Sequence, residues 1–600
     1  MSLPLDSAET ILTCLEHYAA ARGDEKAYVF FADGDNQEQT LTYNELCTRA
    51  KTLAGELTQR GLQDQAVLLL FPAGLDFVIA FFACLYAGTI AVPANLARNS
   101  HHYARLKQII QDSNTQAVLT TSALKPATEK GLTAAGVNVL HINILCEPDI
   151  VSATSLLQFR PALRTVQPAF IQYTSGSTGN PKGVIVTHAQ LVANERAIQR
   201  CANLPEFANV GGWLPQFHDM GLIGTMLQPA ALGGCYYFMS PLHFIQSPLR
   251  WIKLLSRCKA AATAAPNFAL DMCVKAMRNG FDGELDLSSL NTLFCGAEPV
   301  NQTTLAQFNA CFAPFGLHPD AVKPCYGMAE TTLIISGGIA KSVTKHLRVN
   351  REALKAGHVA IALEQDCEAQ DIVCCGSPVD GHQIKIVDPE TFAIVDENAV
   401  GEIWCAGPSI AAGYWKNARA TLETFGAKTA CGAGPFLRTG DLGFIHRDGI
   451  FVTGRIKEMM IIRGKNHYPH DIEATIASVF AEHGIDVQAA VFADNEAAKT
   501  PGIIAYVELP RRGGALDTET FKLLASNLRQ AVSAIHDVQL KELFALKFGS
   551  LPRTSSGKTQ RLACAGLYHS GEIDSDDRVI LTTRRTFTTT DITAPEAVAS

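Results

Sequence analysis

The chain is short of charge, and shorter still of charge clusters. Charged residues are 18% of its 600 residues, the net charge is −8, and no long block of lysine or arginine occurs. Nucleic-acid binders carry a basic patch or stripe, so nucleic acid is not an expected partner. Paired metal-ligand spacing is missing as well. The 17 cysteines are odd in number, scattered, and mostly in apolar company (Cys84, Cys258, Cys273, Cys295), with no Cys-x-x-Cys pair. Reduced thiols in the cytoplasm are the expectation. The start, Met1-Ser-Leu-Pro-Leu-Asp-Ser-Ala-Glu9, lacks the basic and apolar regions of a secretory signal, and Ala-Val-Ala-Ser600 spells no simple address. No internal repeat is evident. One charge-free run, Phe77 to Ala94, reaches the lower margin for a membrane span. Gly88 and Pro93 punctuate it, so it reads as a buried helix from Asp76 to Ala87 and then a buried strand. No transmembrane segment is expected.

What the chain has is apolar content, 47%, over a length too great for one ordinary core. From about residue 40, helical and strand-like segments alternate: Tyr43 to Thr58 helical, Ala66 to Phe71 a strand, then Gln116–Thr121 and Val137–Ile142 as short strands. Such alternation predicts open α/β sheets with helices on their faces. Thr187-His-Ala-Gln190 offers a capping box for a helix running to about Cys201. Between about 370 and 456 the texture turns β-rich, with strands at Gln383–Val387, Gly401–Cys405 and Gly449–Thr453. Beyond it a further α/β unit carries a helix near Pro469 to Phe480 and strands at Gln488–Phe492 and Ile503–Val507. The expected fold class is α/β. A large N-terminal domain, 1–456, holds two α/β subdomains and the β-rich subdomain. A small mobile α+β domain, 457–570, follows, then an acidic, threonine-rich tail, 571–600.

Five stretches carry chemistry. Tyr173-Thr-Ser-Gly-Ser-Thr-Gly-Asn-Pro-Lys-Gly183 lies between two strand-like runs. Gly176, Gly179 and Gly183 permit tight turns, Thr174, Ser175, Ser177 and Thr178 supply hydroxyls, and Lys182 supplies a positive charge. Together they suit a polyphosphate, the plain alternative being a flexible linker. It is not a Walker A loop, because Pro181 stands where the second glycine belongs. Phe294-Cys-Gly-Ala-Glu-Pro-Val300 ends a strand in a glycine turn, either a ligand edge or an ordinary turn. Tyr326-Gly-Met-Ala-Glu-Thr331 sets Glu330 beside a tight turn, where it either caps a helix or holds Mg²⁺ on ATP. Leu437-Arg-Thr-Gly-Asp-Leu442 offers Asp441 to ribose hydroxyls or to its own backbone. Leu551-Pro-Arg-Thr-Ser-Ser-Gly-Lys558 nearly spells a Walker A loop, but Pro552 has no N–H to give a phosphate.

In this order the five stretches resemble the adenylate-forming superfamily of acyl-CoA synthetases, luciferases, peptide-synthetase adenylation domains and fatty acyl-AMP ligases. The resemblance implies ATP and Mg²⁺ as cofactors. It implies phosphate contacts from Thr174, Ser175, Gly176, Ser177, Thr178, Gly179 and Lys182, and adenine contacts from Gly296, Ala297 and Glu298. Tyr326, Gly327, Met328 and Ala329 would line the nucleotide and Glu330 would hold the metal. Asp441 would take the ribose and Arg455 ribose or phosphate. Gly454-Arg-Ile-Lys457 resembles the interdomain hinge, with Lys457 the pivot, and Lys558 becomes the catalytic lysine of the smaller domain. Trp213-Leu-Pro-Gln-Phe-His-Asp-Met-Gly-Leu-Ile223 resembles the acyl-site motif, with His218 at the acyl carboxylate or pocket mouth; a core histidine is the alternative.

The stretch about 337–372 looks longer than in ordinary acyl-CoA synthetases and is similar to the insertion of fatty acyl-AMP ligases. That likeness implies a medium- or long-chain fatty acid as substrate. It implies transfer of the acyl group to a holo acyl carrier protein of a polyketide or peptide synthase system, acting in trans. CoA as acceptor, giving a fatty acyl-CoA synthetase, is the alternative. A phosphate-hydrolysing NTPase built on the Lys558 loop is a further one, disfavoured by Pro552.

Overall fold

A computed structural model describes residues 4–97, 99–146, 165–174, 181–278, 280–338, 346–363, 365–366, 369–463, 465–494, 502–511, 516–554, 557–575 and 577–584. The chain divides into two compact units, Met1–Thr453 and Gly454–Ser600.

In the first unit a nine-stranded sheet has a parallel centre with antiparallel strands at both edges. A seven-stranded sheet contains Pro168–Thr174, Ile90–Pro93, Ala66–Leu70 and Ala117–Thr120, flanked at one end by Lys182–Thr187 and Gly413–Tyr414. Its central strand shows why the sequence reads as an unbroken apolar run. Ala66, Leu68 and Leu70 face one core with Leu106, Ile109 and Ile110, while Val67 and Leu69 face another with Phe81 and Phe82. A strand with helices on both faces needs apolar side chains at every position. The charge-free run resolves into helix Leu75–Ala87, a left-handed Gly88 cap and strand Ile90–Pro93. No described helix is long and apolar enough to cross a membrane. Thr187 and Gln190 form both bonds of the expected capping box at the start of helix His188–Ala202.

Three local expectations need correction. Val137–Ile142 is not a strand: the Asn138 side chain accepts the Leu140 N–H and opens a 3₁₀ turn over Val139–His141, and the strand is Asn143–Leu145. The β-rich region is not self-contained. Gln383–Val387, Gly401–Ala406, Leu437–His446 and Gly449–Arg455 form a four-stranded sheet, yet Ser377–Pro378 and Gly413–Tyr414 join the two large sheets. Residues from 571 are not wholly tail, because Val579–Thr582 pairs antiparallel with Leu540–Leu546 and completes a sheet. The exposed positions along that strand hid it from hydropathy.

The stretch expected as an insertion contains strand His346–Asn350, helix Arg351–Lys355 and strand Ala369–Val373, the two strands paired antiparallel. The second unit packs helices Pro469–Glu482 and Thr518–His536 on a mixed sheet of Gln488–Ala493, Ile503–Glu508, Leu540–Leu546 and Val579–Thr582. The expected α/β class with a large first and a small second domain describes the fold.

Candidate active site

Hairpin Pro168–Thr174/Lys182–Thr187 sets Thr174 opposite Lys182, so the glycine-rich loop leaves and rejoins the sheet at one point. Ser175, Gly176, Ser177, Thr178 and Gly179 lie outside the described residues. Gly413–Tyr414 pairs with the second arm of that hairpin, Tyr414 opposite Val184. The pairing holds the Tyr414 ring 4.7 Å from the Lys182 ammonium. The Tyr414 hydroxyl donates to Glu330 Oε1 at 2.9 Å. Burial first, and then the Glu330 carboxylate, raise the phenol pKa above its ordinary value, so Tyr414 stays a donor.

Glu330 is 8% exposed and sits on a single 3₁₀ turn, Ala329–Thr331. The turn depends on Gly327, where a Cβ would lie 1.8 Å from the Leu333 carbonyl oxygen. Buried Asn194 closes it: Nδ2 donates to the Thr331 and Ile334 carbonyls at 3.3 and 2.9 Å, and Oδ1 accepts the Ile334 N–H at 3.2 Å. On the strand leading into this turn, the Tyr326 hydroxyl donates to Asp441 Oδ2 at 2.8 Å. Asp441 follows Gly440, whose φ of +72° lies inside strand Leu437–His446 at a bulge where the register with Gly401–Ala406 shifts. Glu402, 2% exposed, fixes that bulge by accepting from Gly440 N–H at 3.1 Å, from Arg438 Nε and Nη2 at 3.0 and 2.8 Å, and from Trp404 Nε1 at 2.8 Å.

Gly296 lies against Cys325: a Cβ there would be 2.9 Å from both the carbonyl oxygen and Sγ of Cys325. Ala297 takes a left-handed φ of +68°, a strained turn for a residue with a side chain. Glu298 Oε1 accepts the Phe268 N–H at 2.6 Å, at the start of helix Asn267–Arg278. His218 belongs to a neighbouring segment, tied to the hairpin by Gln172 Nε2 donating to the Phe217 carbonyl at 3.0 Å. Its Nδ1 lies 2.7 Å from Asp219 Oδ1, so Nε2 is the ring nitrogen left for another partner.

The first unit thus gathers an ammonium, a buried carboxylate and a second carboxylate beside a glycine-rich loop. Among the described residues no group of three or more His, Cys, Asp and Glu could hold a metal. A lone carboxylate such as Glu330 is nonetheless how Mg²⁺ is often held when phosphate oxygens fill most of its shell.

Residues 15–415 match the family model described as AMP-binding enzyme. The chain belongs to that family. This AMP-binding enzyme is 36% identical over 585 residues to the medium-chain-fatty-acid–acyl-carrier-protein ligase JamA of Moorena producens, covering 96% of this chain and 97% of that protein. It is 34% identical over 584 residues to the long-chain-fatty-acid–AMP ligase FadD26 of Mycobacterium marinum, covering 94% and 97%. Among solved structures it is similar to the fatty acyl-adenylate ligase from L. pneumophila in complex with acyl adenylate and pyrophosphate. The TM-score is 0.73 at 33% identity, over 96% of this chain and 98% of that one.

The other three expected residues of the AMP-binding enzyme lie in the second unit. Arg455 ends a strand, and its carbonyl accepts the N–H groups of Glu458 and Met459 at 3.1 and 2.9 Å, so Lys457 sits in a closed turn. Lys558 ends a loop in which Thr554 N–H donates to the Lys558 carbonyl at 2.8 Å and Lys558 N–H donates to Thr554 Oγ1 at 3.1 Å. Buried Glu508 holds the approach to that loop, accepting Leu551 N–H at 2.8 Å and Arg553 Nη2 at 2.7 Å. Tyr414, Asn194, Glu402 and Glu508 hold the segments that carry the expected residues, and the motifs do not single them out. Tyr414 has one sequence signal, a Gly-Tyr-Trp run, and many loops carry such a run; the other three have none.

Proposed function

We propose that this enzyme activates a medium- or long-chain fatty acid with ATP and passes the acyl group to a carrier protein acting in trans. The observation that carries the proposal is the Lys182–Tyr414–Glu330 cluster. It sets one positive and one negative charge at the root of a phosphate-type loop, the pattern a metal-bound polyphosphate needs. The acyl half is supported by relatives such as JamA and FadD26, whose names specify fatty acids.

A fatty carboxylate oxygen attacks the α-phosphorus of ATP in line. The bond from that phosphorus to the bridging oxygen of the β-phosphate breaks, and pyrophosphate leaves with its electron pair. Lys182 and the 174–183 loop bind the departing phosphates, and Asp441, oriented by Tyr326, accepts the ribose hydroxyls. Mg²⁺, when bound at Glu330, would supply positive charge to the phosphate oxygens. Lys558 provides its ammonium to the charge that grows on the α-phosphate, so catalysis is positioning plus electrostatics. His218 lies at the acyl carboxylate. The thiolate of the carrier's phosphopantetheine then attacks the acyl carbon, forming the thioester and expelling AMP. Arg455 reaches ribose or phosphate, and Lys457 is the pivot of the smaller domain. The insertion restrains that pivoting and disfavours CoA. The protein works in the cytoplasm, in keeping with its sixteen described cysteines being free thiols, all but Cys431 shielded to some degree.

Two assays test this. Lys558→Ala should lower laurate-dependent pyrophosphate release by about 10²–10³; a wild-type rate would remove the catalytic assignment. Enzyme, ATP and laurate should acylate a holo carrier protein, and efficient release of acyl-CoA when CoA is offered instead would make it an acyl-CoA synthetase.

A further inference from the structure

The second unit contains a partly buried charge network that the reaction as described does not use. Arg561, the first residue of helix Arg561–His569, donates from Nε to Glu473 Oε1 at 2.7 Å and from Nη2 to Glu473 Oε2 at 2.6 Å. Its Nη1 donates to Glu458 Oε2 at 2.7 Å. The side chains are 17% exposed for Arg561, 13% for Glu473 and 23% for Glu458. Glu473 Oε1 also accepts the Val491 N–H at 3.0 Å, which fixes helix Pro469–Glu482 to the sheet.

Glu473 alone satisfies Arg561 as a bidentate partner. Glu458 brings a second mostly buried carboxylate and leaves the cluster with a net negative charge. Adding such a charge costs desolvation and is a poor source of stability, so its contribution lies elsewhere. Its position indicates where. Glu458 is the residue next to Lys457, and Arg561 closes the segment that carries Lys558. The other flank of that segment is held by Glu508 through Leu551 and Arg553.

We propose that the Glu458–Arg561 pair is a positioning device that indexes the Lys558 loop to the hinge. Through the chain itself the hinge and Lys558 are about a hundred residues apart, but through Arg561 they are joined by one charge-assisted bond of fixed direction. When the backbone turns at Lys457, Glu458 turns with it, and Arg561 carries the Lys558 loop along without slack. A lysine ammonium on a flexible stem cannot correct a displaced loop, and a shift of about 1 Å is enough to cost up to 10²-fold in rate. Glu458 and Arg561 are thus positioning residues for adenylate formation. The inference rests on the assignment of Lys457 as pivot and Lys558 as catalytic lysine.

The test is Glu458→Gln in the full-length enzyme, beside wild type and Lys558→Ala. The readouts are ATP–pyrophosphate exchange with laurate, acyl transfer from synthetic lauroyl-adenylate to a holo carrier protein, and thermal melting. Glu458→Gln should lower the kcat of exchange about tenfold, with KM for ATP within about twofold and with acyl transfer and Tm unchanged. Exchange at the wild-type kcat would overturn the proposal. So would equal losses in exchange and transfer with a lowered Tm, which mark a purely structural pair. If Lys558→Ala also exchanged at the wild-type rate, the catalytic reading itself would fall, and that outcome is separate from the first two.

Discussion

Tyr414→Phe is the sharpest probe of the first unit. It deletes one oxygen, leaves the ring beside Lys182 at 4.7 Å, and removes the 2.9 Å hydrogen bond that orients Glu330. A hydrogen bond to a charged group is worth about 1.5–3 kcal/mol. If Glu330 must keep one orientation to serve the metal–nucleotide complex, that loss appears in kcat/KM for ATP as roughly tenfold to 150-fold. ATP–pyrophosphate exchange at fixed laurate measures it, and the Mg²⁺ concentration giving half-maximal rate should rise in parallel. Tyr414→Leu removes the ring as well and should lose about 0.5–2 kcal/mol more through the missing cation–π contact with Lys182. If Tyr414→Phe exchanged within about twofold of wild type and kept its Mg²⁺ dependence, the claim that a phenol bridges the two charges for catalysis would be refuted.

Glu402→Gln should raise KM for ATP by loosening the bulge at Gly440–Asp441 and should cost about 3 kcal/mol of stability in denaturant melts, because Arg438 loses its buried charged partner. Gly327→Ala should abolish adenylate formation or soluble expression, since the new Cβ would meet a carbonyl oxygen at 1.8 Å; an active variant would show the Glu330 turn to be wrong. His188 supplies a pH test. Burial lowers its pKa to about 4, and its Nδ1 is buried without a hydrogen-bond partner. Below about pH 6.5 the unfolded chain takes up a proton that the folded one refuses until about pH 4. Folding therefore loses stability as pH falls through that window, by about 3 kcal/mol in all. His188→Gln should flatten the pH dependence of Tm between those limits, and an unchanged slope would count against a neutral buried imidazole.

The sequence by itself determined whatever is local. The capping box at Thr187 and Gln190 closes within four residues, and Gly88 ends a helix through its own φ, so both could be read without neighbours. Five ordered motifs were enough for the family, because turn chemistry leaves its mark residue by residue. Reading failed where the deciding partner was distant. Strand Val579–Thr582 alternates between half-buried and exposed positions, and its pairing with Leu540–Leu546 makes it part of a domain rather than a tail.

Tertiary structure alone decided what orients the charges. Lys182, Glu330 and Tyr414 come from three separate parts of the chain, and they meet because Gly413–Tyr414 adds to the edge of the phosphate-loop hairpin. Strand order and register, not any short pattern, set that meeting. Glu402 beneath Asp441 and Glu473 beside Arg561 follow the same logic. A shielded carboxylate needs partners, and Arg438 for Glu402 and Arg561 for Glu473 come from parts of the chain 36 and 88 residues away.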